Sequence, residues 1–164
     1  TIAFLTDTLK VLLTGTVEEH HLSEILDADL DRQHEEAMAV PHALARLGDA
    51  MPGFGIVAAV LGVIITMGEI GGPPEQIGSK VAAALVGTML GILLSYGLIS
   101  PLGTAVEARV RSEHAYLACM RTALLAFARG DAPMTVVEFT RRSIEPADRP
   151  SFAALEALVK RKAA

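Results

Sequence analysis

The chain has 164 residues, 14 Lys and Arg against 19 Asp and Glu, and a formal charge of −5; 51% of it is apolar. The acidic balance and the lack of Trp argue against a nucleic-acid surface, which needs a basic face. The single cysteine, Cys119, excludes an internal disulfide framework and a zinc site built on cysteine pairs. The charges are also segregated: residues 50–68 and 81–106 hold none, runs of 19 and 26 residues. A water-soluble single-domain enzyme does not distribute its charges this way.

The opening stretch TIAFLTDTLKVLL reads as the middle of a helix, and no charged-then-apolar leader precedes it. We therefore expect a fragment whose natural N-terminal part is missing. Ile2, Leu5, Leu9 and Leu12 fall at helical spacing, and Gly15 can end that helix. Thr16 with Glu19 predicts a capping box for the next helix. Residues 1–49 are expected to form a cytoplasmic helical region. Asp27, Asp29 and Asp31 mimic the start of a calcium loop, but Arg32 and Met38 stand where the loop needs Gly and Glu. His20, His21, His34, Glu35 and Glu36 read as a solvated helix face rather than a metal cluster.

The two uncharged runs then form a transmembrane hairpin over 50–106. A bilayer core of about 30 Å needs roughly 20 apolar residues in helix. At ~1.5 Å rise per residue the runs reach about 28 and about 39 Å. The loop 69–80, with Gly71, Gly72, Pro73 and Pro74, breaks the helix between them. Arg32 and Arg46 before the spans, and Arg109, Arg111, Arg121 and Arg129 after them, put both ends in the cytoplasm and the loop outside. Ala83, Gly87, Gly91 and Ser95 recur every four residues, a stripe that admits a close helix neighbour, and Gly55, Ala59 and Gly62 repeat the idea on the first span. Two helices are not expected to satisfy faces this extensive alone, so the stripes imply an assembly.

No ionisable residue lies inside either run. An ion pathway normally carries one, so any titrating carboxylate must come from elsewhere. Thr66, Thr88 and Ser95 are the hydroxyls well inside the spans. Each can bond the carbonyl one turn back; Thr88, mid-span beside the small stripe, is the best candidate to hold water. Pro52 reads as a first-turn proline, or as half of a hinge with Pro101 at the same membrane level. Pro101 frees the carbonyl of Gly97 and kinks any helix that continues through it.

Residues 107–164 form a second cytoplasmic helical region. Val106, Val110, Leu117, Met120 and Leu124 share one stripe, and Gly130 and Pro133 end it. Pro150 opens a last helix with Phe152, Leu155 and Leu158. No strand pattern, internal repeat, phosphate loop or nucleophile motif appears. The fold class is all-α, a polytopic membrane protein without enzyme chemistry or cofactor.

Three motifs, GDAMPGFGIVAAVLGVI, VGTMLGILLSYGLISPL and VEFTRRSIEPADRPSF, fall in order along the chain. They resemble the MotA family of flagellar motor stator subunits; the first two are shared with the wider MotA/TolQ/ExbB proton channel family, and the third points to MotA. The resemblance covers residues 1 to about 160 and implies that membrane helices three and four of a four-helix subunit are present. It implies a homopentamer in the bacterial inner membrane around MotB, which supplies the proton-carrying aspartate, and torque on the rotor protein FliG. By position, Thr88 and Ala59 fall on the ion pathway, Ala59 favouring protons over sodium, and Pro52 and Pro101 on conformational coupling. An ExbB- or TolQ-like energiser of an outer-membrane system and a passive membrane scaffold are the competing functions.

Overall fold

The computed structural model describes residues 2–15, 18–68 and 70–163, with the side chains of Ile2 and of residues 160–163 left aside. The described residues form helices and turns, with no strand among them. The helices are α1 (Ile2–Thr14), α2 (Glu19–Met67), α3 (Pro74–Leu94), α4 (Ser100–Ala128), α5 (Pro133–Ser143) and α6 (Phe152–Ala163), and a π turn at Ser95–Ile99 joins α3 to α4. Packing divides the chain into two units: residues 1–36 with 110–164, and residues 37–109.

The first unit closes around Phe4, Leu22, Leu26, Leu30, Leu117, Leu124 and Leu125. Burial of such side chains contributes about 1.5–3 kcal/mol each. The α1 stripe differs from the spacing-based expectation. Phe4 and Thr8 are buried while Leu9 is 42% exposed, because Thr8 donates its hydroxyl to the Phe4 carbonyl at 2.7 Å and so enters the core with its polar atom paired. Gly15 ends α1 at φ +63°. The Thr16 capping box lies outside the described residues. Gly130, at φ +78°, closes α4 in a Schellman motif: its N–H bonds Phe127 and that of Asp131 bonds Ala126.

Short ion pairs knit the unit's surface. Arg121 reaches Ser23 at 2.8 Å and Asp27 at 2.6 Å. Asp29 accepts from Gln33, so two of the three aspartates of the apparent calcium loop face other partners. His20 Nε2 lies 3.3 Å from the Glu24 carboxylate, and the rings of His34 and His114 lie 4.5 Å apart between centres, tilted by 49°.

The third sequence motif folds back on itself. Glu138 accepts hydrogen bonds from Arg141 at 2.7 and 2.8 Å and from Arg142 at 2.8 Å. Arg149 donates to the carbonyls of Arg142 and Ile144, and Arg141 to that of Pro150. Arg141 and Arg149 thus fasten the loop after α5 to its C-terminal end, while Arg142 pairs with Glu138 within the helix. The last helix starts after Pro150, with Ser151 as its cap: the Ser151 hydroxyl accepts from the Ala154 N–H at 3.2 Å.

The second unit is a helical hairpin. Both uncharged runs lie in helices long and apolar enough to cross a membrane, and their most apolar windows are only 11% and 17% buried. A soluble core helix would be buried; here Phe54, Ile64 and Tyr96 stand 67%, 59% and 68% exposed. The connection is shorter than the expected 69–80 loop, because α3 already begins at Pro74. Proline suits the first helical position and forces the residue before it, Pro73, into extended backbone. Pro52 is likewise no first-turn proline: α2 is one helix of 49 residues with Pro41 and Pro52 inside it.

Candidate functional site: the helix interface of the hairpin

The apposed faces of α2 and α3 are built from small residues. Gly48, Gly55 and Gly62 recur seven apart, a repeat that holds one face of a helix toward a neighbour. Each is kept small by what lies opposite. A Cβ on Gly55 would sit 2.9 Å from the Gly87 carbonyl oxygen and 3.1 Å from the Thr88 Cα. One on Gly91 would sit 2.7 Å from the Met51 carbonyl oxygen, and one on Gly62 would collide with the Ala84 side chain. On α3 the face runs through Ala84, Gly87, Gly91 and Ser95. Gly87, Gly91 and Ser95 from the predicted stripe are there; Ala83 is exposed, and Ala84 takes its place. The strict four-residue spacing drifts off a helix face whose contact repeat is nearer 3.5.

The three hydroxyls have separate fates. Thr66, fully buried, donates to the Gly62 carbonyl of its own helix at 2.8 Å. Thr88, half-buried, donates across the interface to the Gly55 carbonyl at 3.2 Å. Ser95, fully buried, donates across to the Gly48 carbonyl at 2.7 Å. Ala59, half-buried, lies next to the same contact: its backbone nitrogen is 4.0 Å from where a Cβ on Gly87 would be. The hairpin thus brings Thr88 and Ala59 to either side of the Gly55–Gly87 approach.

The Ser95 bond explains Pro52. A proline inside a helix has no N–H for the carbonyl four residues back, which here is that of Gly48. In a buried apolar setting an unpaired carbonyl is costly, and the Ser95 hydroxyl pairs it. Pro41 also frees a carbonyl, that of Ala37, but at an exposed residue. Pro101 is exposed and lies one residue past the π turn; the intervening Ser100 N–H bonds the Ser95 carbonyl.

Gly48, Ala84, Ser100 and Gly103 belong to the interface without standing out in the sequence. The seven-residue repeat to Gly55 and Gly62 is the signal that includes Gly48. Gly55, Gly62, Gly87 and Gly91 meet one another's helices within this chain, while Ala83 and Gly53 stay exposed. The carbonyls and hydroxyls along this face are the polar groups of an otherwise apolar wall, and among the described residues no group of three or more His, Cys, Asp or Glu is placed to hold a metal ion.

A polytopic helical membrane protein with a small-residue hairpin and no ionisable residue in its two uncharged runs is the class these features define. The family described as the MotA/TolQ/ExbB proton channel family matches residues 2–118, and the chain belongs to it. Motility protein A of Escherichia coli K12 and that of Salmonella typhimurium are each 37% identical over 153 residues, 93% of this chain and 52% of theirs. Chemotaxis protein LafT of Vibrio parahaemolyticus is 36% identical over 155 residues, 94% of this chain and 54% of its own. The chain therefore spans about half the length of these curated relatives. In fold it is similar to the MotAB structure of C. jejuni, with a TM-score of 0.80 at 20% identity, covering 91% of this chain and 58% of that one. It is equally similar to the flagellar MotAB stator complex of Bacillus subtilis, with a TM-score of 0.80 at 24% identity, covering 92% and 59%.

Proposed function

We propose that the chain is the channel-wall part of a flagellar motor stator subunit, coupling proton flow across the bacterial inner membrane to torque on the rotor. Its likeness to Motility protein A along nearly its whole length supports this reading. The observation that carries it is the Thr88 hydroxyl, half-buried on a wall without ionisable residues and shared with the Gly55 carbonyl at a long 3.2 Å. Residues 50–106 are the membrane hairpin; 1–49 and 107–164 lie in the cytoplasm, the side on which the arginines concentrate. The working assembly is a homopentamer around MotB, and the cytoplasmic part acts on FliG.

The chemistry is that of a borrowed acid. A membrane carboxylate on the partner, when charged, seeks water and the Thr88 hydroxyl. Once protonated it suits the apolar wall around Ala59. The packing favoured therefore changes with each proton, and Pro52 and Pro101 are where the helices bend to follow. No covalent intermediate is needed.

The test is swimming together with co-purification of the single-span partner. Thr88→Leu and Ala59→Leu are expected to abolish or sharply slow swimming while the partner still co-purifies. Thr66→Val, which removes a hydroxyl bonded only within its own helix, is expected to swim. Normal motility of both leucine variants overturns the ion-pathway assignment, and a Pro101→Ala strain that swims normally removes the hinge. Capture of a different single-span partner in place of MotB moves the chain to the outer-membrane energisers.

A further inference from the structure

The face of α3 toward α2 follows Ala84, Gly87, Gly91 and Ser95. Continued in α-helical register at intervals of three and four, it would next present Leu98 and Leu102. These are instead 61% and 55% exposed. The residues that meet α2 are Ile99 and Ser100, both close to Gly48, and Gly103, which is buried against Leu44 and Pro41. The contact positions have moved on by one residue. The π turn at Ser95–Ile99 supplies it: one extra residue per turn rotates everything beyond by about 100° relative to a continuous α-helix. The rotation puts a glycine, not a leucine, where a Cβ on residue 103 would lie 3.4 Å from the Leu44 Cβ.

Ser95 heads that turn with all three of its polar groups engaged. Its N–H bonds the carbonyls of Gly91 and Ile92, its carbonyl accepts from Ser100, and its hydroxyl holds the Gly48 carbonyl. The last bond exists because Pro52 leaves that carbonyl without an N–H. The α2 proline and the α3–α4 register are thereby joined through one side chain.

We propose that Ser95 is a positioning residue for the proline pair: its hydroxyl stands in for the donor that Pro52 lacks, and so locks the π register that turns Gly103 rather than Leu102 toward α2. Ser95 touches no ion in this scheme; it acts through the backbone. The proposal rests on the coupling role given above to Pro52 and Pro101 only for its consequence in swimming, not for the lock itself.

The lock is tested by disulfide formation in native membranes holding the complete stator complex, with Cys119 replaced by Ser. Paired cysteines at Leu44 and Gly103 have Cβ positions about 3.4 Å apart, close to disulfide range, whereas Leu102 stands 55% exposed instead of meeting α2. The parent should cross-link 44 to 103 and not 44 to 102. Ser95→Val, which keeps the bulk of threonine without the hydroxyl, should lower the 44–103 product and raise the 44–102 product at least threefold. Ser95→Thr should keep the parental pattern. On a Pro52→Ala background, where residue 52 again offers an N–H to Gly48, Ser95→Val should change the pattern by less than half as much. An unchanged pattern in Ser95→Val, equal patterns in the Val and Thr variants, or an equal shift with and without Pro52 each overturns the proposal. Swimming separates the lock from its use. A shifted pattern with slowed swimming, restored in Ser95→Thr, supports both. A shifted pattern with normal swimming keeps the lock and removes the coupling role of the prolines.

Discussion

Gly91 meets backbone on its open side, the Met51 carbonyl at 2.7 Å and the Gly55 Cα at 3.1 Å from any added Cβ. Backbone cannot swing away as a side-chain tip can, so even a methyl group must separate the helices. Gly91→Ala is expected to weaken the hairpin by about 1–3 kcal/mol, the usual cost of overpacking. Gly53, with nothing within 4 Å of a Cβ, is the matched control, and Gly53→Ala should stay within about 0.5 kcal/mol of the parent. Unfolding of the membrane-embedded chain, read by steric trapping, measures both. An equal loss in the two variants would mean that the close approach is not what holds the pair. The sequence made Gly87, Gly91 and Ser95 legible as small, but not the partner each would meet. Ser95 could be read equally well as bonded to its own helix. The direction of its hydroxyl depends on a carbonyl 47 residues away, made available by a proline whose place inside a longer helix was itself not legible.

At the scale of the elements, the clearest dependence on pH lies in α5. Glu138 sits between Arg141 and Arg142, and the hydrogen bonds from Arg141 first and Arg142 second pull its carboxyl from the usual 4.5 down to about 2. A depressed folded value means that this carboxylate stabilises the fold fully above about 4.5 and progressively less as pH falls toward about 2. Melting of the full chain in detergent should therefore drop across that window, and Glu138→Gln should flatten the drop. The same slope in both proteins would show that other carboxylates carry it. The amphipathic periods predicted the existence of α1, α4 and α6, and glycines marked two of their ends. They did not predict where α2 runs on without a break. Local signals mark stops, and neither Pro41 nor Pro52 stops this helix because the carbonyls they free have other outlets, Gly48 onto Ser95 and Ala37 at an exposed residue. The π turn was equally hidden: nothing in the run GILLSYGLISPL distinguishes it from α-helix until the contacts of Leu98, Leu102 and Gly103 are compared.

For the molecule as a whole, the membrane character was legible because it depends on composition alone, two charge-free runs each long enough for a bilayer. In the proposed stator reading, the driving ion is a property of the assembly. Ala59 leaves no side-chain oxygen beside Thr88 on α2, and a sodium pathway needs several oxygen ligands. Swimming speed should be insensitive to sodium at fixed pH and fall when the proton gradient is collapsed; a speed that tracks sodium would reverse this reading.

Gly48, Gly55, Gly62, Gly87, Gly91 and Gly103 face inward between the two runs, and the large side chains left exposed on the hairpin are leucine, isoleucine, valine, phenylalanine, methionine and tyrosine. To such a wall a lipid tail and an aliphatic side chain of a neighbouring protein are nearly the same substance. Exchanging one for the other changes little in energy. In the proposed assembly, a subunit clad in this way would slide past its neighbours with low friction, while its own two helices stay clasped.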